Sequence, residues 1–142
     1  MKKKIILLVF VVFLTLTLIG CSGVTPIIPD GNQEEEAKEI INNYWSALSN
    51  KQYKLAKTYC ILYGDAYYAV EGYQNMFDYN YMTLNWIPYI NWVNIIGDKA
   101  TISINITLNV TICFENICSS KSESLYNYLM YLIKIDNIWK LN

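Results

Sequence analysis

This 142-residue sequence contains no histidine and no arginine, and cysteine is the residue type whose possible chemistry is clearest. Cys113 and Cys118 flank a four-residue segment that can reverse a β-hairpin. If they face each other across an antiparallel ladder, their Cα separation suits a disulfide; the alternative is a pair of free or buried thiols. Two cysteines without histidine make a poor zinc site, so we predict no metal and no cofactor. Cys60, at an apolar helix position, is expected to be a small core residue.

The first 21 residues have the layout of a secretory signal. Lys2–Lys4 form a positively charged start, an almost unbroken apolar run covers Ile5–Ile19, and small Gly20 precedes Cys21. The last four residues of this stretch, Leu-Ile-Gly-Cys, resemble the lipobox of bacterial lipoproteins. The resemblance implies that the Cys21 thiol carries a diacylglycerol, that the chain is cut before it, and that its new amino group takes an acyl chain such as palmitate. The apolar run is shorter than the roughly 20 residues that cross a bilayer, which argues against an uncleaved transmembrane helix.

This signal predicts a location for the rest of the chain. Residues 1–20 are expected to be a signal peptide, and residues 21–33 are the lipidated cysteine and a flexible tether containing prolines and glycines. Residues 34–142 are expected to form one domain. We therefore predict a lipid anchor in the cell membrane, with the domain on the extracytoplasmic side, where cysteine oxidation is permitted.

The composition argues against several classes of function. Loss of residues 1–20 removes three lysines and no acid, so the formal charge falls from −1 to −4, which argues against nucleic acid as a partner. Without histidine and arginine the chain lacks the commonest acid–base residue and the bidentate phosphate ligand. The sequence has 13 tyrosines, for which we favour codon bias over a tyrosine-built ligand surface.

Helical periodicity dominates the first half of the domain. An apolar stripe with the spacing of one buried helix face predicts the first helix. Ser49 and Gln52 have the spacing of a capping box, which predicts a second helix over residues 53–63. A third helix is predicted over residues 65–82, with Gly72 as its weak point. The first stripe consists of Ala37, Ile40, Ile41, Tyr44, Trp45 and Leu48.

From Trp86 onward the apolar period changes to two, which is typical of strands with one buried face. Strands are predicted over Ile87–Ile96, over residues 101–112 with strict alternation, over Cys118–Ile135, and over Trp139–Leu141 at the end of the chain. The order of helices first and antiparallel strands afterwards predicts the α+β class.

This layout resembles the nuclear transport factor 2-like, cystatin-like cone superfamily. The resemblance covers residues 34–142 and is carried by the amphipathic helix Ala37–Leu48, the turn at residues 97–100 into a long alternating strand, and the ending Tyr131–Lys140. It implies N-terminal helices packed on a curved antiparallel sheet around a conical cavity. Members of the superfamily use this cavity for ligand binding, for proton-transfer or dehydration chemistry, or simply as core.

Two functions follow from the resemblance. The first, which we favour, is a non-catalytic ligand-binding or protein-interaction module on the membrane. The second is a small-molecule isomerase or dehydratase-like enzyme, because catalytic members of the superfamily need a general base with a hydroxyl partner, commonly a carboxylate with tyrosines. Turn formation, solvation and packing are the explanation that we favour for the candidate side chains. These candidates are Asp65, Glu71 and Asp78, with Tyr67, Tyr68 and Tyr81.

A pairing of the two hairpin cysteines would fix the register of the long strands beside them. In that register Ile102 faces Leu129, as a core pair would, but the apolar residues nearer the loop face polar partners. The tip would then project beyond the core, and its apolar stripe would need a cover from a homodimer partner, another protein or the domain's own helices. A bulge near Ser119–Ser124 would change this register. The stripe consists of Leu108, Val110, Ile112 and Phe114.

We expect mass spectrometry of the membrane fraction to find a thioether-linked lipid on Cys21, because the resemblance places cleavage immediately before this residue. The same spectra would reveal any small molecule that co-purifies. An unmodified chain that keeps residues 1–20 would contradict the lipoprotein prediction.

Overall fold

The computed structural model describes residues 31–142, and the predicted signal peptide and lipid-attachment residue Cys21 lie outside the described residues. The sheet has the order β1-β2-β3-β4, and all neighbouring strands are antiparallel. The predicted α+β class, with helices packed on an antiparallel sheet, is confirmed. The elements are α1 (Gly31–Ser49), α2 (Tyr53–Thr58), α3 (Asp65–Phe77), β1 (Met82–Ile96), β2 (Lys99–Phe114), β3 (Ile117–Ile135) and β4 (Ile138–Leu141).

Helix α1 is the central packing element, and its predicted apolar stripe is confirmed. Ile41 and Leu48 are fully buried, and burial of each such side chain stabilises the fold by about 1.5–3 kcal/mol. Ile40, at the margin of the stripe, is half-buried against the core. The helix begins at Gly31, so residues 31–33 are helical. No helix within residues 31–142 is long and apolar enough to cross a membrane.

The predicted capping box at Ser49 is wrong. Ser49 is the last residue of α1, where its hydroxyl donates to the Trp45 carbonyl at 3.0 Å and accepts the Trp86 N–H at 2.8 Å. It therefore ties α1 to β1 instead of starting α2. Gln52, three residues later, precedes α2 but makes no side-chain capping bond.

The second and third helices are shorter than predicted. Helix α2 ends at Thr58 because the chain then pairs with β4: the Ile61 N–H donates to the Leu141 carbonyl at 2.6 Å, and the Leu141 N–H donates to the Tyr59 carbonyl at 2.8 Å. Tyr63, the last residue of the predicted second helix, therefore lies outside α2 and is exposed. Helix α3 ends at Phe77, and Met82, the last residue of the predicted third helix, is instead the first residue of β1.

The register between β2 and β3 changes along the hairpin. From Ile106 toward the tip, the pairs have the predicted register. On the other side of this point the pairs are offset by one residue, so Ile102 faces Met130, and the predicted pairing with Leu129 is wrong. The offset arises from a β-bulge outside the segment where a bulge was considered.

One side chain connects two bulges. In β3, Tyr126 and Asn127 together oppose Asn105 of β2, and Asn91 is an extra residue in β1. The Asn105 Oδ1 atom accepts the Asn127 backbone N–H at 3.0 Å and a side-chain N–H of Asn91 at 3.0 Å. Asn127 has a φ of 55°, a conformation that asparagine adopts more readily than most residues. Because bulges bend and twist a strand, this connection curves the sheet around α1.

The tip of the hairpin carries a disulfide. Cys113 and Cys118 lie directly opposite each other, with a Cα–Cα distance of 4.1 Å, and their sulfur atoms are bonded. So short a distance is typical of a non-hydrogen-bonded antiparallel pair, and the Cys113 N–H instead donates to the Tyr81 carbonyl at 2.9 Å. Cys118 therefore directs its own N–H and C=O away from β2.

We expect Asn105→Ala to lower the free energy of unfolding by about 1–2 kcal/mol, because two hydrogen bonds to one carbonyl oxygen are lost and a backbone N–H loses its partner. Denaturant titration measures this quantity. Asn109→Ala is the matched control, since Asn109 lies on the same face of β2 in a regular stretch of the ladder. An equal loss in both variants would contradict the role assigned to Asn105.

Candidate functional site

A cavity of about 330 Å³ lies between α1, the first half of α3 and β3. Its size is within the range of about 300–1,000 Å³ that small-molecule sites occupy. Aromatic rings form much of its wall, the small side chains of Ala66 and Ala69 leave the space open, and Asp65 lies at its margin. The aromatic residues are Tyr44, Trp45, Tyr73, Tyr128 and Tyr131; we call this space the tyrosine cavity.

Helix α1 supplies a rigid wall of the tyrosine cavity. Tyr44 and Trp45 are both 2% exposed, and their rings meet edge-on with centroids 5.2 Å apart. The Trp45 ring also lies 4.9 Å from that of Trp86, and its Nε1–H donates to the sulfur of Met130 at 3.4 Å. These contacts fix both rings, so this wall is preorganised.

The bulge in β3 supplies the opposite wall. Tyr128 faces Ile104 and therefore lies on the inner face of the sheet, next to Met130. If the register of the tip continued without the bulge, Tyr128 would face Ser103 and point to the outer face, since successive side chains alternate between faces. The hydrogen-bonded bulge at Asn105 thus determines that a hydroxylated ring enters the cavity.

Burial keeps Tyr44 and Tyr73 of the tyrosine cavity, and the neighbouring Cys60, protonated. Burial raises the pKa of Tyr44 above its usual value, and the neighbouring Tyr73, Cys60 and Tyr128 raise it further. Burial also raises the pKa of Tyr73, with a contribution from Tyr128. Burial raises the pKa of the Cys60 thiol to about 12, although Lys140 and Lys57 oppose the shift. At neutral pH these groups are uncharged hydrogen-bonding partners.

The predicted catalytic carboxylates do not converge. Asp65 lies at the margin of the tyrosine cavity, but it is exposed. Glu71 forms a salt bridge with Lys57 at 2.8 Å, and Asp78 lies in a separate open cleft beside Tyr53. No aspartate or glutamate within residues 31–142 is buried.

The predicted catalytic tyrosines also lie outside the tyrosine cavity. The Tyr67 ring holds Lys57 Nζ 4.5 Å from its centroid, Tyr68 is exposed, and the Tyr81 ring stacks on Phe114 with centroids 4.6 Å apart. Of the residues that do line the cavity, the sequence placed Tyr44 and Trp45 in the buried stripe of the first helix and Asp65 among the catalytic candidates. A tyrosine in a buried helical stripe carries no signal in the sequence that it lines a cavity.

The apolar stripe of the hairpin tip is partly covered by the same chain. Leu108, Val110 and Ile112 are half-buried and line a second cavity, of about 470 Å³, with Phe77 and Met82. Phe114 remains 61% exposed. No group of three or more metal-ligating side chains that could hold a metal ion is present between residues 31 and 142.

Solved structures of similar shape share the fold. A conserved protein from Planctomyces limnophilus is 9% identical, with a TM-score of 0.62 over 79% of this chain and 92% of that one. A Streptomyces avermitilis protein of the nuclear transport factor 2-like family, for which dehydratase activity has been suggested, is 10% identical, with a TM-score of 0.55 over 79% and 93%. A Novosphingobium aromaticivorans protein, suggested to be a scytalone dehydratase, is 13% identical, with a TM-score of 0.52 over 78% and 79%.

At these identities the likeness concerns the fold alone. The domain has the nuclear transport factor 2-like fold, as the sequence resemblance implied. No protein-family model matches the sequence, and no curated protein matches it either.

We expect stability to fall at alkaline pH, and Tyr44→Phe to weaken that fall. The unfolded chain ionises Tyr44 near its usual pKa of 10.0, whereas the folded chain retains the proton to higher pH. The stabilisation is therefore complete below about pH 10 and declines above it, by up to about 1.4 kcal/mol per pH unit. Denaturant titrations on either side of about pH 10 measure the decline. Tyr68→Phe, which alters an exposed ring, should keep the wild-type slope, and an unchanged slope in Tyr44→Phe would refute the explanation.

Proposed function

We propose that this chain is a lipid-anchored, extracytoplasmic binding module that holds a small uncharged amphipathic molecule in the tyrosine cavity without transforming it. The observation that carries this proposal is a preorganised, ring-lined cavity in which burial keeps the hydroxyls of Tyr44 and Tyr73 protonated and which contains no buried carboxylate.

The chemistry of the wall favours this class of ligand. Aromatic rings stabilise a bound molecule through apolar burial and stacking, and the hydroxyls of Tyr44, Tyr73 and Tyr128 offer hydrogen bonds to a polar group on it. A charged ligand would lose its hydration without gaining a buried counter-ion, which is costly. The ligand class is therefore neutral, with a ring or short apolar body and at least one hydroxyl or carbonyl group.

The predicted anchor supports a role near the membrane. Since α1 begins at Gly31, a tether of about nine residues after Cys21 would span roughly 15–18 Å as a flexible coil, so the domain would lie close to the lipid surface, where amphipathic molecules concentrate. One lipidated residue with two or more acyl chains makes such an anchor durable. The lipobox resemblance at Cys21 is the basis of this part of the proposal.

The alternative is a small-molecule isomerase or dehydratase. Its support is that Asp65 shares the cavity margin with tyrosines and that two proteins of similar fold have suggested dehydratase activity. Against it, a general base must come within hydrogen-bonding reach of the proton that it removes, and Asp65 is exposed.

We expect native mass spectrometry of the detergent-solubilised full chain to detect a co-purifying small molecule, and titration with phenol, as an uncharged hydroxylated ring, to saturate. Ala69→Phe should abolish both because the new ring fills the cavity. Asn75→Phe is the matched control, since it adds the same ring at an exposed position of the same helix and should leave binding unchanged.

Asp65→Asn separates the two functions. A binding module should retain its ligand and its affinity for phenol in this variant. Accumulation of a different bound molecule in Asp65→Asn would favour the enzyme, because loss of the base would trap substrate. Equal phenol binding by wild type and Ala69→Phe would refute the cavity as the binding site.

A further inference from the structure

Strand β3 has a long free edge. It pairs with β2 on one side, but β4 covers its other side only at Leu132–Ile135. Every residue from Ile117 to Leu129 is exposed. A strand edge of this kind offers unpaired backbone groups to another strand.

The alternation of the ladder identifies the groups at this edge. Because Cys118 forms a non-hydrogen-bonded pair with Cys113, its N–H and C=O point away from β2, and the same holds for every second residue along the regular register. Ser120, Ser122 and Ser124 therefore direct their backbone donors and acceptors to the free edge.

The sequence of this edge is complementary to itself. If two copies run antiparallel about a two-fold axis at Ser122, Lys121 of each copy faces Glu123 of the other, and Ser120 faces Ser124. Cross-strand pairs of opposite charge stabilise an antiparallel ladder. In the single chain Lys121 and Glu123 form a salt bridge with each other while remaining 78% and 68% exposed, so both are free to exchange partners.

We propose that a second copy of this chain pairs with the free edge of β3, antiparallel and centred on Ser122, so that the two sheets become continuous. Ser122 then exchanges both backbone hydrogen bonds with its own counterpart. Charged residues on an edge strand discourage pairing with foreign apolar strands. Here they are complementary only when the partner has the same sequence in this register, which selects a second copy over other strands.

The neighbouring side chains fit the same arrangement. In this register Leu125 lies opposite Ser119 of the second copy, and Tyr126 lies opposite Cys118. Leu125 and Tyr126 are 59% and 73% exposed in the single chain. The small Ser119 side chain leaves room for Leu125 to approach Ile112, which is paired with Ser119 in β2. The apolar stripe of each tip thereby gains a cover from the other copy.

Charge reversal tests the register. With the full chain solubilised from membranes, sedimentation should show a dimer for wild type. Lys121→Glu and Glu123→Lys should each raise the dissociation constant about tenfold, because every dimer then contains two like-charged contacts. The double variant Lys121→Glu/Glu123→Lys should restore wild-type affinity. Both side chains are exposed, and unchanged circular dichroism will show that the variants fold.

Cross-linking tests the position. Ser122→Cys treated with a short bis-maleimide should give a product of twice the chain mass, whereas Asn85→Cys, at an exposed position of β1, should not. A monomeric wild type, unchanged affinity in the single reversals or a failure of the double reversal to recover would each overturn the proposal. A cross-linked product containing a different protein would also overturn it.

Discussion

The hydrogen bonds of Asn105 Oδ1 are the contacts on which the shape of this domain depends. By accepting from Asn91 and from the backbone of Asn127, one carbonyl oxygen holds bulges in both strands that flank β2. The bulge in β3 turns Tyr128 inward, beside α1, and so supplies one wall of the tyrosine cavity.

Hydrophobic periodicity predicted the features that depend on one buried face of a single helix or strand. The stripe of α1 and the alternation of β2 were confirmed because burial acts on each face independently. Contacts between elements were not predictable in this way. Asn105 and Asn109 occupy equivalent positions in the alternating pattern of the sequence. Only the folded sheet shows that Asn105 lies between two bulges. Ser49 likewise has the spacing of a helix cap, but its hydroxyl instead accepts the backbone N–H of Trp86.

Prediction of the candidate site from the sequence was limited in the same way. Tyr44 and Tyr73 satisfy a helical stripe as well as any apolar residue does, so their hydroxyls give no sign in the sequence that they meet across a cavity. The carboxylates that looked chemically promising lie on one helix or just after it, but Asp65, Glu71 and Asp78 reach three separate environments. Chemistry of the acid–base type requires convergence, and convergence is a property of packing between elements.

The disulfide at the hairpin tip restricts the register of the two longest strands. Cys113 and Cys118 are five residues apart, so their bond closes a short loop and contributes about 2 kcal/mol to global stability through chain entropy, at the low end for disulfides. It also holds the tip of the β2–β3 ladder in one alignment. A slip by one residue, which would turn every side chain to the opposite face, is excluded there while the bond is intact. Because the tip is held in this register, β3 accommodates its surplus residue opposite Asn105, where the sheet bends.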